Sequence, residues 1–281
     1  MSVPAPVPGT APSSRRAWRW IALLAAFAVL FVSPVVVLGL RAVAARWSYP
    51  HLLPEAYSLR ALELLVRDGG GLARSLVSST VYSSVTVLLA FAVSVLPASV
   101  LARYEFRGRL AVEALLLSPV LVPAITYGIG LHFLMIRVGL ANTTAGVVLV
   151  LTAASYPYML RSLTAGFQQI HPDFDRCATN LGASLHRRVL TVHLPLLGPA
   201  VVAGGSVVFL VAFSEYFLVF LVGGGVVPSY TGYLFPYVSG GDWTIGAGLT
   251  LGFVVVPLVL FVAIDRTLAL YYRRRGMTGI Q

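Results

Sequence analysis

The chain has 281 residues, 58% of them hydrophobic and 11% charged, and a mean hydropathy of +0.85. Soluble domains carry roughly 25% charged residues, so this composition excludes an ordinary soluble domain and predicts an all-α, polytopic membrane protein. The formal charge of +10 comes from twenty basic residues, every one an Arg, against ten acidic ones; in so apolar a chain it marks cytoplasmic loops rather than a nucleic-acid surface.

From the N-terminus, "MSVPAPVPGTAPSSRRAWRW" is rich in Pro, Ser and Ala and predicts a disordered cytoplasmic tail over residues 1–19. The apolar run from Trp20 to Leu40 is longer than a secretory-signal core of about 7–15 residues and predicts an uncleaved first span. Apolar runs of about twenty residues place six spans, near 20–42, 76–101, 111–135, 143–164, 195–222 and 244–271. They make one transmembrane domain, 20–272, with a loop at about 166–194 and a basic cytoplasmic tail at 273–281. Pro34, Pro97, Pro119, Pro123, Pro157 and Pro257 fall inside these runs, which helix bundles in lipid tolerate.

Arginines set the orientation. With the N-terminus inside, fourteen of the twenty fall on the inner side: Arg15, Arg16, Arg19, Arg103, Arg107, Arg109, Arg161, Arg176, Arg187, Arg188, Arg266, Arg273, Arg274 and Arg275. The positive-inside bias therefore puts both termini and the 166–194 loop in the cytoplasm.

That loop contains the most polar stretch between spans, "PDFDRCATNLGASLHRRVLTVHLPLL", Pro172 to Leu197. Pro172 suits a first helical position, and Asp173 and Asp175 suit a first turn, where the helix dipole favours negative charge. Phe174, Ala178, Leu181 and Leu185 recur at helical spacing, opposite Asp175, Arg176, Thr179 and Asn180. Such a helix lies on the bilayer, enters a partner's groove with Gly182 allowing close approach, or is a plain solvated connector. The segment "RCATNLGASLHRRVLTVHLP" resembles the cytoplasmic EAA motif of ABC importer permeases, E-A-A-x-x-x-G followed after nine residues by I-x-L-P. Ala178 takes the second alanine, Gly182 the glycine, Val192 the isoleucine, and Leu194-Pro195 the closing pair, while Arg176 stands where the family carries Glu and Cys177 replaces the first alanine. "ARYEFRGRLAVEALLLSPVLVPAITYGIGL" (102–131) and "VAFSEYFLVFLVGGG" (211–225) are similar to the family's second inner loop with third core helix and to its fifth-helix segment, so the similarity covers about 74–272.

The resemblance implies a type I ABC importer permease in a prokaryotic cell membrane, with six transmembrane helices and a cytoplasmic coupling helix. Asp173, Phe174, Asp175, Arg176, Ala178, Leu181, Gly182, Ala183, Leu194 and Pro195 are then the expected contact with ABC ATP-binding subunits. The family's acidic contact does not carry onto Arg176; Asp173 or Asp175 replaces it, or the partner's surface differs. The other implied partners are a second permease, identical or homologous, and an extracytoplasmic solute-binding protein. The chain is not expected to be an enzyme: a P-loop needs a Lys and the chain has none, so ATP and Mg are expected on the ATPase subunits. Nor does any Ser, His, Asp or paired-acid spacing suggest catalysis. His171, His186 and His193 lack a ligand spacing, so no metal is expected, and one cysteine, Cys177, excludes an internal disulfide. Polyamine, thiamine, ferric iron or a similar small solute is the expected cargo, with sugar second. A secondary transporter or channel is the alternative class, but it predicts internal repeats or charge relays that the halves do not display.

Ionisable residues within spans are costly and mark candidate pathways. Glu215, beside Ser214 and Tyr216 in the fifth span, is the chief one; its structural alternative is an acid bonded to a neighbouring element. Tyr127 and His132 in the third span, and Tyr156 and Tyr158 in the fourth, are weaker candidates, since aromatics in bundles mostly pack. The segment "GGGVVPSYTGYLFPYVSGGDW" (223–243) predicts an interfacial hairpin that contacts the binding protein or covers the cavity.

Overall fold

The computed structural model describes residues 14–274 apart from 68, 185, 186, 188–190 and 192; residues 1–13 of the expected tail 1–19, residues 275–281 of the expected tail 273–281, and Leu185, His186 and Val192 of the expected loop lie outside the described residues. In chain order the elements are α1 (Ser14–Ala42), β1 (Ala44–Arg46), β2 (Ala56–Tyr57), α2 (Arg60–Arg67), α3 (Gly69–Arg103), α4 (Arg109–Leu121), α5 (Ala124–Arg137), α6 (Thr144–Gln169), α7 (Pro172–Asn180), α8 (Leu194–Ser214), α9 (Phe217–Gly223), α10 (Tyr230–Ser239) and α11 (Trp243–Arg274). Among the described residues, five helices are long and apolar enough to cross a membrane, six if the bent pair α4–α5 counts as one span. α1 takes in Ser14–Arg19, which composition alone assigns to the tail.

Two expected spans are broken. The third turns by 96° between α4 and α5. Its cause is Pro123, which has no N–H and pushes the preceding residue out of the helical region; Val122 is extended at φ −98°, ψ 129°. The fifth, expected to run through residue 222, stops at Ser214. Glu215 is extended at φ −75°, ψ 114°, and the chain restarts as α9. The 223–243 hairpin is instead a short helix, α10, capped by the Ser229 hydroxyl accepting from the Gly232 N–H at 3.0 Å.

α3, α6 and α8 form the centre, flanked by α4, α9 and α11. The seam along α3 is small and polar: Ser79, Ser83, Thr86 and Ser94 are buried together with Ala90 and Ala98. That 3–4 residue spacing lets backbones approach in a membrane, where packing and hydrogen bonds replace the hydrophobic drive. Thr86 donates to the Tyr82 carbonyl at 2.8 Å, and Ser94 to the Tyr156 carbonyl at 3.3 Å. The connections alternate between two ends. One carries α7 and is called here the α7 end; the other carries the β1–β2 hairpin, α2 and α10.

Candidate functional site

At the α7 end, His171 Nδ1 accepts the Asp173 N–H at 3.4 Å, and Pro172 occupies the first turn, where its missing donor costs nothing. The other terminus is a Schellman motif. The Gly182 N–H donates to the Thr179 carbonyl at 2.9 Å and the Ala183 N–H to the Ala178 carbonyl at 3.0 Å, with Gly182 left-handed at φ 75°. The alanine and glycine of the motif therefore build one helix end. Only a residue content at positive φ stops α7 there, a stricter reason for Gly182 than room for a partner. Phe174 is 53% exposed and Leu181 86%, so the expected apolar face is open within this chain. The side chains of Asp175, Arg176 and Leu194 lie outside the described part of the molecule.

The loop's two feet are held together at its base. Phe167, near the end of α6, and His193, one residue before α8, are both buried, with ring centroids 6.1 Å apart. Arg103, the last residue of α3, lays its guanidinium 5.4 Å from the Phe167 ring and brings Nη2 within 3.3 Å of His193 Nδ1. Just beyond, the Ser162 hydroxyl donates to the Ala200 carbonyl at 2.7 Å, and a Cβ at Gly166 would come within 2.6 Å of Ala200 Cβ. Both arms thus leave one tight α6–α8 junction braced by α3. In the sequence Arg103 reads only as an inner-side charge. Residues 26 and 90 positions apart along the chain leave no local pattern for the contact.

Toward the other end lies the break between α8 and α9. Glu215 Oε1 accepts the Leu218 N–H at 3.1 Å, which caps α9, and the Glu215 carbonyl accepts the Thr231 hydroxyl of α10 at 3.3 Å. Leu218, whose N–H the carboxylate holds, belongs to the same buried cluster as Tyr82, and Tyr127 packs against that cluster. Ser214 turns back to the Val211 carbonyl at 3.2 Å. Tyr216 stacks on Phe235 of α10 at 4.5 Å and on Phe220 at 5.7 Å. Tyr127 lines a cavity of about 240 Å³ at the α4–α5 bend, with Ser118, Pro119, Val122, Leu131 and Ala153. His132 is half-buried, and among the described residues its Nδ1 has no hydrogen-bond partner. The structure thus packs Tyr127 against the cluster that holds Leu218, the residue Glu215 caps, whereas the Tyr216 ring is committed to α10. Tyr156 donates to the Leu116 carbonyl at 2.5 Å, a packing role, and Tyr158 lines a second cavity of about 490 Å³ between α4 and α6, beside the Glu113–Arg161 pair at 3.4 Å.

Sequence reasoning missed the contacts that hold α10 down. Ser79 accepts the Tyr230 N–H at 2.8 Å and bonds the Tyr82 hydroxyl at 3.0 Å, and Tyr230 donates to the Leu249 carbonyl at 2.6 Å. The readable signal was the spacing of hydroxyl residues from Ser75 to Ser94 in an otherwise apolar run.

Residues 69–275 match the family described as binding-protein-dependent transport system inner membrane component. The trehalose/maltose transport system permease protein MalG of Thermococcus litoralis is 31% identical over 145 residues, 51% of this chain and 52% of that one. The sulfate transport system permease protein CysT of Escherichia coli is 27% identical over 161 residues, 50% of this chain and 58% of that one. The molybdenum transport system permease protein ModB of Mycobacterium bovis is 32% identical over 215 residues, 70% of this chain and 74% of that one. The first two matches span little more than half the length of those relatives. The chain also shares its fold with a chain of a bacterial ABC transporter involved in import of the acidic polysaccharide alginate, at 17% identity and a TM-score of 0.71 over 92% of this chain and 99% of that one.

Proposed function

Because the chain belongs to the family of binding-protein-dependent transport system inner membrane components, the permeases of type I ABC importers, we propose that it is the pore-forming subunit of an ATP-driven importer. A second permease completes the pathway, two cytoplasmic ATPase subunits supply the hydrolysis, and an external binding protein delivers the solute. ATP and Mg are then held by the ATPase subunits.

One observation carries this reading. α7 presents Phe174 and Leu181 to the outside, ends in a motif that requires Gly182, and stands on feet fixed to α3, α6 and α8. An exposed apolar face on a braced support is what a transmission element needs: it docks by burying Phe174 and Leu181, and the brace carries its displacement into the spans. In this reading Asp173, Phe174, Ala178, Leu181, Gly182 and Ala183, with Asp175 and Arg176, meet the ATPase, and Leu194-Pro195 starts α8. ATPase closure moves α7, and the α6–α8 junction follows as a unit.

The pathway runs past Tyr127, His132 and the α8–α9 break with Ser214, Glu215 and Tyr216. The expectation of a polyamine, thiamine or ferric iron rests on the resemblance of the "VPAITYGIGL" and "FSEYF" segments, and the one acid that suits a cation there, Glu215, has its carboxylate engaged in capping α9. Hydroxyl and imidazole groups along the same path favour small uncharged or anionic solutes, and the relatives are named for sugars, sulfate and molybdenum. We therefore place a sugar or small oxyanion first. The test is reconstitution with the cognate ATPase and binding protein. Solute-stimulated ATP hydrolysis and uptake are expected with this chain and vanish without it; uptake that proceeds with no ATPase present sinks the reading.

A further inference from the structure

Residues 43–68 precede the stretch that matches the family, and within them α2 has a surface that the bundle leaves unused. At 3.6 residues per turn its side chains fall into three arcs. Ala61, 6% exposed, and half-buried Leu64 face protein; a Cβ at Gly248 would come within 2.7 Å of Ala61 Cβ, so α2 lies tight against α11. Arg60, Glu63 and Arg67 form a charged arc, with Arg60 Nη2 paired to Asp242 Oδ2 at 3.0 Å. Leu62 and Val66 share the third arc and are 54% and 77% exposed.

Two marks give the depth of that apolar arc. Gly248 lies five residues inside α11 from Trp243, the exposed aromatic that opens its apolar span, about 7–8 Å along the axis at 1.5 Å per residue. At the other terminus, Arg67 stands just ahead of α3, whose apolar span opens at Gly70. α2 is therefore level with the ends of two spans, where an interfacial helix buries its apolar face by about 5–10 Å. Its main packing partners are α11 and α3, not α5 or α9, which carry the pathway candidates. Lipid, rather than a chain across the pathway, is the occupant that position offers.

We propose that α2 is an interfacial helix, with Leu62 and Val66 seated in the headgroup–acyl boundary and Glu63 and Arg67 in water. Through the Arg60–Asp242 pair, and through Thr244 donating to the Ala44 carbonyl at 2.6 Å, it ties the start of α11 to the membrane surface. The inference needs only that the chain spans a bilayer, not that it couples to an ATPase.

The test uses the full chain with Cys177 replaced by Ser, in nanodiscs of phosphatidylethanolamine and phosphatidylglycerol. Spin labels are placed through Leu62→Cys, Val66→Cys, Glu63→Cys and Arg67→Cys. All four sites are exposed, and correct folding is checked by monodispersity and helical content. Relaxation by apolar oxygen relative to a water-soluble nickel complex is expected to be several-fold higher at 62 and 66 than at 63 and 67. Equal nickel accessibility at all four sites overturns the proposal in favour of a water-facing helix. Exclusion of both reagents at 62 and 66 overturns it in favour of a protein partner.

Discussion

The two ends of the bundle are finished differently. At the α10 end, aromatic rings close on one another within the chain: Phe213 stacks on Tyr230 at 5.8 Å and meets Phe253 at 5.5 Å, while Tyr216 stacks on Phe235. Hydrogen bonds from Tyr230 to Ser79 and to the Leu249 carbonyl, and from Thr231 to the Glu215 carbonyl, tie the same elements together. At the α7 end, the base is as tightly built, but Phe174 and Leu181 stand in the open. The packing around α10 is closed within the chain, whereas the apolar face of α7 is left open. Substitutions at the first should therefore read out as stability, and at the second as coupling with stability nearly unchanged.

The sharpest contrast comes from the largest change. Phe213 is fully buried among α8, α10 and α11, and Phe213→Ala removes packing worth about 3–5 kcal/mol. A clear fall in the thermal unfolding midpoint of the purified chain is expected; an unchanged midpoint would deny that this end is self-contained. Next is Gly182→Val. A β-branched residue at φ 75° costs roughly 1–2 kcal/mol and unwinds the Schellman end, although open space surrounds the position. Solute-stimulated hydrolysis is expected to fall at least about tenfold, the factor that 1.4 kcal/mol represents, with the midpoint of the isolated chain barely moved. Gly182→Asn, which tolerates positive φ, keeps most of the coupling. If Asn and Val fail alike, it is size rather than backbone conformation that the partner rejects, and the Schellman end is not what Gly182 serves.

A third change probes the complete end through polarity. Ser79→Ala leaves the buried Tyr230 N–H and the Tyr82 hydroxyl without their partner, a loss of about 1–3 kcal/mol. A lower midpoint and faster amide exchange in α10 are expected, with ATPase binding unchanged. Faster exchange confined to α7 would contradict the separation of the two ends.

What the sequence made legible follows the range of the interaction. Spans declare themselves through local hydropathy, and α7 through Pro172, its apolar spacing and Gly182, all within one or two helical turns. The break at Pro123 was visible as a residue but not as a 96° turn, because lipid bundles accept proline without saying how far the helix bends. The break at Glu215 carries no proline or glycine; its signal, an acid three residues before Leu218, is that of an ordinary cap and reads as an intramembrane charge when the run is assumed continuous. Least legible is the base of the loop, where Arg103, Phe167 and His193 meet from three helices.

The smallest expected effect bears most directly on how far the complete end extends toward the pathway. In Glu215→Gln the side-chain oxygen still accepts the Leu218 N–H, so the cap survives and only the charge is lost. Replacing a charged acceptor by a neutral one costs under about 1 kcal/mol here, since caps are worth about 0.5–2 kcal/mol in total. The midpoint should shift little, and uptake should change less than about fivefold, because the carboxylate's structural work is done by the amide. Glu215→Ala, which removes the acceptor as well, should lower the midpoint further than Gln does. If Gln alone abolishes uptake while the midpoint holds, the carboxylate faces the solute. The α8–α9 break then belongs to the pathway as a charged site, and a cationic cargo regains the first place.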